Sequence, residues 1–295
     1  MSNALFYGSG VALVTPFRGD DVDEAALERL IDWQIDSGTD ALVILGTTGE
    51  PCTVTTSERG RIIECAVARA AGRVPVIVGA GSNDTRTATR LAAQARSLGA
   101  DGVLAVTPYY NRPGRAGVIA HFRAVADAAE LPVIMYNVPS RTGVNLEPEW
   151  VAELAKHPYL CAVKEASGNL NQLTGLAAAC GDGVAIYSGN DDQVLPALAL
   201  GARGVISVAA NIIPALMHEM VDVWLRGEPE RCRALQLESL PLIRVLFSQT
   251  NPIPVKAALA QMEKIENTLR LPLTPLEGEG LEALKKELRR WGIAG

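Results

Sequence analysis

The run Val74-Pro-Val-Ile-Val-Gly79 decides the fold class of this 295-residue chain. It is short, almost wholly apolar and rich in β-branched residues, and the segment that follows at 85–98 repeats its apolar residues with helical spacing. The first pattern is typical of a strand that is covered on both faces, and the second is typical of an amphipathic helix. Together they predict a strand followed by a helix that packs against it.

The same alternation of strand and helix extends along the chain in both directions from this unit. Helical spacing recurs at 58–71, for example. The predicted strands lie at 10–15, 41–45, 74–79, 102–107, 132–137, 160–164, 185–188 and 204–207. Eight such units indicate an α/β fold, a closed (β/α)8 TIM barrel, for which an open, doubly wound parallel sheet is the alternative.

The β-branched runs stop after Leu225, and helical patterns alone follow. Three helices are predicted, at 229–247, 255–267 and 277–291. The segments Asn251-Pro-Ile-Pro254 and Leu271-Pro-Leu-Thr-Pro275 separate them, because proline is poorly tolerated inside a helix. We therefore expect residues 1–226 to form the barrel with the active site, and residues 227–295 to form a C-terminal helical domain.

Composition disfavours several classes of protein. The chain has 27 basic and 33 acidic residues and no basic stripe, so nucleic acid is not an expected partner. No apolar run reaches the roughly 18 residues that cross a bilayer, and the N-terminal segment lacks the pattern of a signal peptide. The five cysteines are odd in number and form no CxxC pair. These features favour a cytoplasmic protein with reduced thiols and no membrane association.

No metal or organic cofactor is expected. The three histidines, at 121, 157 and 218, are far apart in sequence and show none of the common metal-ligand spacings, although folding could still bring distant ligands together. The first predicted strand is not followed by a GxGxxG motif, which would indicate a dinucleotide.

In a barrel of this class the chemistry takes place on loops at the C-terminal ends of the strands. Several polar or glycine-rich positions fall there, and we expect all of them to face one pocket. They are Gly46-Thr-Thr-Gly-Glu50 after the second strand, Tyr109 and Tyr110 after the fourth, Tyr136 and Arg141 after the fifth, Lys164 after the sixth and Gly189 after the seventh.

Lys164 ends the apolar run Leu160-Cys-Ala-Val-Lys164. Burial lowers the pKa of a lysine, and the neutral amine can then attack a carbonyl carbon and form an imine. The alternative is a strand-end lysine that pairs with Glu165 or another carboxylate. Position alone does not separate these two interpretations.

Four neighbouring residues also allow two interpretations each. Tyr136 could move a proton if its hydroxyl is held by neighbours, or it could be an ordinary core residue. Thr47 and Thr48, which lie between glycines, could bind a ligand carboxylate or simply form a βα turn. Arg141 could bind a carboxylate through two parallel hydrogen bonds, or it could be a solvated loop residue.

Four segments closely resemble the dihydrodipicolinate synthase family of the pyruvate-dependent class I aldolase superfamily. They are Gly46-Thr-Thr-Gly-Glu50, Tyr136-Asn-Val-Pro-Ser-Arg-Thr-Gly143, Val163-Lys-Glu165 and Gly204-Val-Ile-Ser-Val208. The resemblance runs from about Leu5 to the C-terminal helices. It implies a Schiff-base-forming lyase that condenses pyruvate with L-aspartate 4-semialdehyde in diaminopimelate and lysine biosynthesis. It also implies a homotetramer built from two tight dimers.

The resemblance implies four catalytic residues. Lys164 would form the imine with the C2 carbonyl of pyruvate, and Tyr136 would donate and accept protons. Thr47 would connect Tyr136 to Tyr110, which family members contribute from the neighbouring subunit.

Four further residues would bind the substrates. Thr48 and the backbone of Ile206 would hold the pyruvate carboxylate. Arg141 would hold the carboxylate of the aldehyde substrate, and the backbone carbonyl of Gly189 would lie beside the site.

A second site in the family, an allosteric cleft for L-lysine, is only partly matched here. Asn83 and Tyr109 match residues of that cleft. Thr56 and Arg59 stand where lysine-inhibited relatives usually carry histidines, and Thr87 stands where they carry a glutamate. We therefore expect weak or absent inhibition by L-lysine.

Two other functions are alternatives to the synthase. A sister enzyme, such as an N-acetylneuraminate lyase or a 2-keto-sugar-acid aldolase, would share Lys164 and Tyr136 but would usually carry a different residue where Arg141 stands. A non-catalytic barrel that binds 2-keto acids is disfavoured, because both the lysine and the tyrosine are present.

Overall fold

Eight parallel strands close into a barrel in the computed structural model, which describes residues 4–293. The barrel strands are β1 (Gly8–Ala12), β4 (Ala41–Ile44), β5 (Val76–Gly79), β6 (Gly102–Val106), β7 (Val133–Asn137), β8 (Leu160–Glu165), β9 (Ala185–Ser188) and β10 (Gly204–Ser207). A short hairpin of β2 (Phe17–Arg18) and β3 (Asp21–Val22) follows the first of them. Because β1 pairs with both β4 and β10, the sheet has no edge. The (β/α)8 barrel is confirmed, and the open sheet is excluded.

Twelve α-helices and four 3₁₀ turns lie within residues 4–293. The helices are α1 (Glu24–Asp36), α2 (Thr56–Ala70), α3 (Thr85–Ser97), α4 (Arg115–Ala129), α5 (Pro139–Thr142), α6 (Pro148–Leu154), α7 (Leu170–Cys180), α8 (Val194–Ala199), α9 (Pro214–Leu225), α10 (Pro229–Leu246), α11 (Ile253–Gln261) and α12 (Gly278–Arg290). The 3₁₀ turns are Thr47–Gly49, Gly181–Gly183, Asp191–Gln193 and Ala209–Asn211. None of these helices combines the length and the apolar character that crossing a bilayer requires.

Several element boundaries differ from the sequence expectation. The first barrel strand is Gly8–Ala12 rather than 10–15: the apolar run continues past the strand, and Val14 there donates its N–H to Asn211 Oδ1. The predicted strand 74–79 begins at Val76, since Pro75 has no N–H to donate. Helix α11 is Ile253–Gln261 rather than 255–267: its first turn accommodates Pro254, and it ends before Glu263, whose φ of 57° lies in the left-handed region.

Side chains alternate between two apolar layers along each barrel strand. One layer lies between the strands and the surrounding helices, and the other fills the barrel. The interior layer contains Val43, Ile77, Leu104, Ile134, Tyr136, Ala162, Ala185, Tyr187 and Ile206. Lys164 has the strand parity of Ala162, so it points into the barrel, whereas Glu165 points the other way.

The C-terminal helices pack against the barrel and against one another. Helix α10 contacts α8 and α9, and α12 packs on α10 and α11. The predicted helical appendage is therefore present. Its description as a separate domain over residues 227–295 stays a prediction.

Candidate active site

Lys164 is buried at the C-terminal end of β8, with 6% of the residue exposed. It stands opposite Tyr136 in the ladder to β7, and its Nζ lies 4.6 Å from the centroid of the Tyr136 ring. The side chain forms no ion pair within residues 4–293. Glu165 is engaged elsewhere, accepting hydrogen bonds from Asn137 Nδ2 at 2.9 Å and from the Ser167 N–H at 2.6 Å. The structure thus does not form the Lys164–Glu165 pair considered as an alternative.

The environment of Lys164 favours its neutral amine. Burial lowers the pKa of Lys164 to about 8; attraction by the buried carboxylate of Asp191 opposes the shift, and repulsion by Arg141 adds to it. A lysine in water has a pKa of about 10.4. A much larger fraction of Lys164 is therefore a nucleophile near neutral pH.

Tyr136 is buried beside this amine, and it shares the cavity wall with Thr47, whose side chain acts on the Tyr136 hydroxyl. Burial raises the pKa of Tyr136, and the Thr47 side chain partly opposes that shift. The phenol therefore stays protonated and can donate a proton. Thr47 begins a 3₁₀ turn directly after β4, which brings its hydroxyl to the top of the barrel.

The loop that carries Thr47 and Thr48 has a constrained backbone. Leu45 before it and Glu50 after it have φ values of 53° and 51°, in the left-handed region that non-glycine residues seldom adopt. A Cβ on Gly79 of β5 would lie 2.0 Å from the Leu45 carbonyl oxygen, so only glycine fits there. Strained backbone held by close packing is common at functional sites.

Gly189 follows β9 and lies next to Lys164, and Ile206 lies on β10. A Cβ on Gly189 would stand 3.0 Å from Lys164 Cε and 2.6 Å from the Ala166 Cβ, so the lack of a side chain leaves room for the lysine. Ile206 is fully buried in the interior layer on β10. Both predicted binding residues are thus placed at the barrel end that holds the amine.

A cavity of about 520 Å³ opens at this end of the barrel. Its wall includes Thr47, Tyr109, Tyr136 and Arg141. Lys164 is not on the wall, but the Tyr136 ring that it contacts is. Tyr136 thus connects the cavity with the amine. The volume suits a small organic ligand.

Tyr110 does not join the other residues. It is 89% exposed and is absent from the cavity wall, whereas Tyr109 before it lines the cavity. The backbone of Tyr110 adopts a φ of 71° at this turn. Thr48, Gly49, Lys164 and Gly189 are also absent from the wall, so the expectation that all the listed residues face one pocket is wrong for these residues and for Tyr110 within a single chain.

Asn251 is a site residue that the sequence did not reveal. Its Nδ2 donates to Thr48 Oγ1 at 2.9 Å, and its backbone carbonyl accepts a hydrogen bond from Arg141 Nη2 at 3.0 Å. It also lines the cavity. Asn251 follows α10, far along the chain from both partners, and its Asn-Pro-Ile-Pro context indicated only a helix boundary.

A second contact from the C-terminal region holds the same loop. Lys256 Nζ of α11 pairs with Glu50 Oε1 at 2.6 Å, both side chains are almost fully buried, and Nζ lies 4.2 Å from the centroid of the Phe17 ring. Burial lowers the pKa of Lys256, and the carboxylate of Glu50 opposes that shift. The pair ties the Thr47–Glu50 loop to α11.

Residues of the predicted lysine cleft lie near one another. Thr56, Arg59, Thr87 and Tyr109 share the wall of the same cavity. Asn83 is not on the wall, but it follows Ser82, which is, and its backbone carbonyl accepts a hydrogen bond from Asn111 Nδ2 at 2.8 Å. The two residues that match the family and the three that depart from it therefore belong to one region.

The histidines are dispersed in the fold. His121 contacts Thr85, while His157 and His218 pair with Asp127 and Asp40 respectively. Within residues 4–293, no three side chains of the metal-binding types gather at one point.

Comparison with known proteins agrees with this geometry. The model of the dihydrodipicolinate synthetase family matches residues 5–290. The chain belongs to this family. A 4-hydroxy-tetrahydrodipicolinate synthase from Caldicellulosiruptor bescii is 50% identical over 292 residues, which cover 99% of both chains.

Solved structures of dihydrodipicolinate synthases have the same fold over nearly the whole chain. The dihydrodipicolinate synthase of Aquifex aeolicus has a TM-score of 0.96 and 42% identity, covering 98% of this chain and 99% of that one. The chloride-inhibited dihydrodipicolinate synthase of Acinetobacter baumannii, solved in complex with pyruvate, has a TM-score of 0.95 and 42% identity, covering 97% and 99%. The resemblance found in the sequence motifs is confirmed over nearly the full chain.

Proposed function

We propose that this protein is a 4-hydroxy-tetrahydrodipicolinate synthase, a lyase that condenses pyruvate with L-aspartate 4-semialdehyde in diaminopimelate and lysine biosynthesis. One observation carries the proposal: Lys164 is a buried amine without a carboxylate partner in residues 4–293, and it stands against a tyrosine that shares the cavity wall with Thr47. Relatives named 4-hydroxy-tetrahydrodipicolinate synthase, which are 50% and 49% identical over 99% and 98% of this chain, support the same activity.

The first step uses the neutral amine of Lys164. The amine attacks the C2 carbonyl of pyruvate, and loss of water leaves an imine on Nζ. The imine acidifies the pyruvate methyl group, and loss of one methyl proton gives an enamine. The enamine carbon then forms a bond to the aldehyde carbon of the second substrate, and the aldehyde oxygen takes up a proton. Attack by the amino group of that substrate on the imine carbon closes the ring and releases the Lys164 amine. Tyr136 supplies and removes protons at these steps, since its hydroxyl is protonated and adjacent.

The proton that Tyr136 handles must be exchanged with another group. Thr47 acts on the Tyr136 hydroxyl, and we assign the next position of the relay to Tyr110 of a neighbouring subunit. The outward orientation of Tyr110 supports this assignment, because a residue that cannot reach its own cavity is free to enter another one. The working enzyme is then at least a dimer, and we propose a homotetramer of two such dimers in the cytoplasm.

Two carboxylates need binding sites in this reaction. We assign the pyruvate carboxylate to Thr48 and the backbone of Ile206. Arg141 takes the carboxylate of the aldehyde substrate, while the Gly189 carbonyl lies beside the reacting atoms. Asn251 contacts both Thr48 and Arg141, and it therefore positions one residue of each carboxylate site. No cofactor takes part in the proposed reaction.

Borohydride reduction tests the imine. In the presence of pyruvate, it should add one pyruvate-derived mass to the peptide that contains Lys164, as read by mass spectrometry. Because only the neutral amine reacts, the trapping rate should rise with pH through a midpoint near the lowered pKa of about 8. Labelling on another peptide would remove the central claim.

Replacement of Arg141 should separate the two substrates. We expect Arg141→Ala to raise the KM for L-aspartate 4-semialdehyde by roughly 10- to 100-fold, because a charge-assisted pair of hydrogen bonds is lost. Imine formation with pyruvate should change much less. Steady-state kinetics and borohydride trapping on the same preparation measure both effects, and equal damage to both would contradict the assigned role.

The choice of acceptor distinguishes the synthase from a sister lyase. With pyruvate held constant, L-aspartate 4-semialdehyde should be used in preference to N-acetylmannosamine. The reverse preference would leave the imine chemistry intact but overturn the synthase assignment.

L-lysine should inhibit the enzyme weakly or not at all. Arg59 replaces a usual histidine of the cleft and Thr87 replaces its glutamate, so the cleft has lost the carboxylate that could pair with the lysine ammonium group. Initial rates with both substrates should stay nearly constant up to submillimolar L-lysine. A substantial loss of rate in that range would refute the prediction.

A further inference from the structure

We propose that the cavity wall formed by α2 and α3 binds a small oxyanion, a carboxylate or a phosphate group, at Arg59 and Arg90. This anionic ligand is opposite in charge to the side chain of free L-lysine, which the corresponding cleft binds in lysine-inhibited relatives. The proposal does not rest on the catalytic assignment, because within residues 4–293 neither arginine forms a hydrogen bond or an ion pair with Lys164 or Tyr136.

Arg59 is a buried guanidinium without a counter-charge. The residue is 5% exposed, its Nη2 donates to the Gly79 carbonyl at 2.7 Å, and its Nε donates to Gln94 Oε1 at 3.2 Å. Both acceptors are neutral. No carboxylate in residues 4–293 lies within ion-pair distance of Arg59. A buried charge in this state is strongly unfavourable, and a bound anion would relieve it.

Arg90 adds a second positive charge to the same wall. It lies on α3, is exposed and forms no ion pair within the described part of the chain. Burial lowers the pKa of Arg59 to about 10, and repulsion by Arg90 adds to that shift. Two guanidinium groups on one cavity wall favour the binding of an anion there.

The acidic residues around this wall are already engaged. Glu58 pairs with Arg270 at 2.5 Å, and Glu50 pairs with Lys256 at 2.6 Å. Asp84 caps α3 by accepting hydrogen bonds from the backbone and the hydroxyl of Thr87. The chain itself therefore offers no free carboxylate to Arg59.

The wall also carries a neutral donor beside Arg59. Thr56 precedes Arg59 by one turn of α2, so its hydroxyl lies on the same face as that arginine, whereas the Thr87 hydroxyl already donates to Asp84 Oδ2 at 2.7 Å. Planar guanidinium groups bind carboxylate and phosphate oxygens through parallel hydrogen bonds. These donors define the ligand class as a small oxyanion.

Thermal unfolding with two probes tests the site. We expect sodium malonate or inorganic phosphate, at fixed ionic strength, to raise the Tm of the full chain with a saturable concentration dependence. Arg59→Gln and Arg90→Gln should each weaken this apparent affinity by roughly tenfold or more. Arg86→Gln removes the same charge from an exposed position of α3 that is not on the wall, and it should leave the affinity unchanged.

Two further variants make the test specific. Thr87→Glu places a carboxylate one turn from Arg90 and should abolish the response, while Arg141→Gln should retain it. If only malonate acts, the natural ligand is a carboxylate, and if only phosphate acts, it is a phosphate. The proposal is overturned by no response to either probe, by a response that persists in Arg90→Gln, or by one lost in Arg141→Gln. Arg90 is exposed, so the thermal response of Arg90→Gln can be measured even if Arg59→Gln does not fold.

Discussion

Replacement of Lys164 by alanine is expected to lower kcat/KM by at least about 10⁴-fold, a loss typical of removing the group that forms the covalent intermediate. No other amine stands against Tyr136, within residues 4–293, to replace it. The loss should appear in kcat with both substrates saturating and in the absence of any borohydride-trapped adduct. Lys156→Ala, at an exposed position of the same protein, is the matched control and should keep full activity.

Replacement of Lys164 should raise the stability of the fold although it removes the activity. The folded state holds the proton of Lys164 more weakly than the unfolded chain, because burial lowers the pKa from 10.5 to about 8. The resulting penalty is complete below the folded pKa and disappears as the pH rises through the unfolded value. Lys164→Met should therefore raise the free energy of unfolding at neutral pH by up to about 3 kcal/mol. A stabilised and inactive variant would separate catalysis from folding, whereas a destabilised one would contradict the description of the amine as desolvated.

Disruption of the Glu50–Lys256 pair is expected to cost about 3–5 kcal/mol of unfolding free energy, because Lys256→Met leaves the Glu50 carboxylate buried without its partner. The double variant Glu50→Leu/Lys256→Met should recover much of that loss, since two apolar groups need no partner. Chemical denaturation of both variants measures the difference. Lys285→Met breaks an exposed pair with Glu282 and should change the stability by less than about 1 kcal/mol.

The two variants should also differ in activity. Glu50 ends the loop that carries Thr47 and Thr48, so a change there alters the position of both hydroxyls. If the pair serves only stability, the double variant will regain activity as well as stability. If it positions the loop, the double variant will be stable with a reduced kcat. Unchanged stability in Lys256→Met would refute the structural role of the pair.

The barrel was predictable because its signal is local and repeated. Each strand is a short apolar run such as 74–79, and each helix has its own periodicity, so an error at one boundary does not alter the class of fold. Boundaries were less predictable, as at β1, where apolar residues continue past the last ladder hydrogen bond. The residues after β1 are buried without being in a strand, and composition does not distinguish buried loop residues from buried strand residues.

The candidate site was predictable in part for a similar reason. Lys164 and Tyr136 end strands, and the C-terminal end of a barrel strand is itself a position that sequence can locate. The direction of the Tyr110 side chain was not accessible, since a single positive φ turns it outward. Asn251 was missed because its partners are distant in sequence and its own surroundings indicate only a turn.

The contacts of Asn251 and Lys256 with the loop after β4 bear on how such proteins can be recombined. A chimera that joins the barrel of one homologue to the C-terminal helices of another would keep both folds but mismatch these two contacts. Functional exchange should therefore require the Thr47–Glu50 loop and the segment from Asn251 to Lys256 to come from the same parent. Two segments about two hundred residues apart must therefore be exchanged together, and exchange of one contiguous domain is not enough.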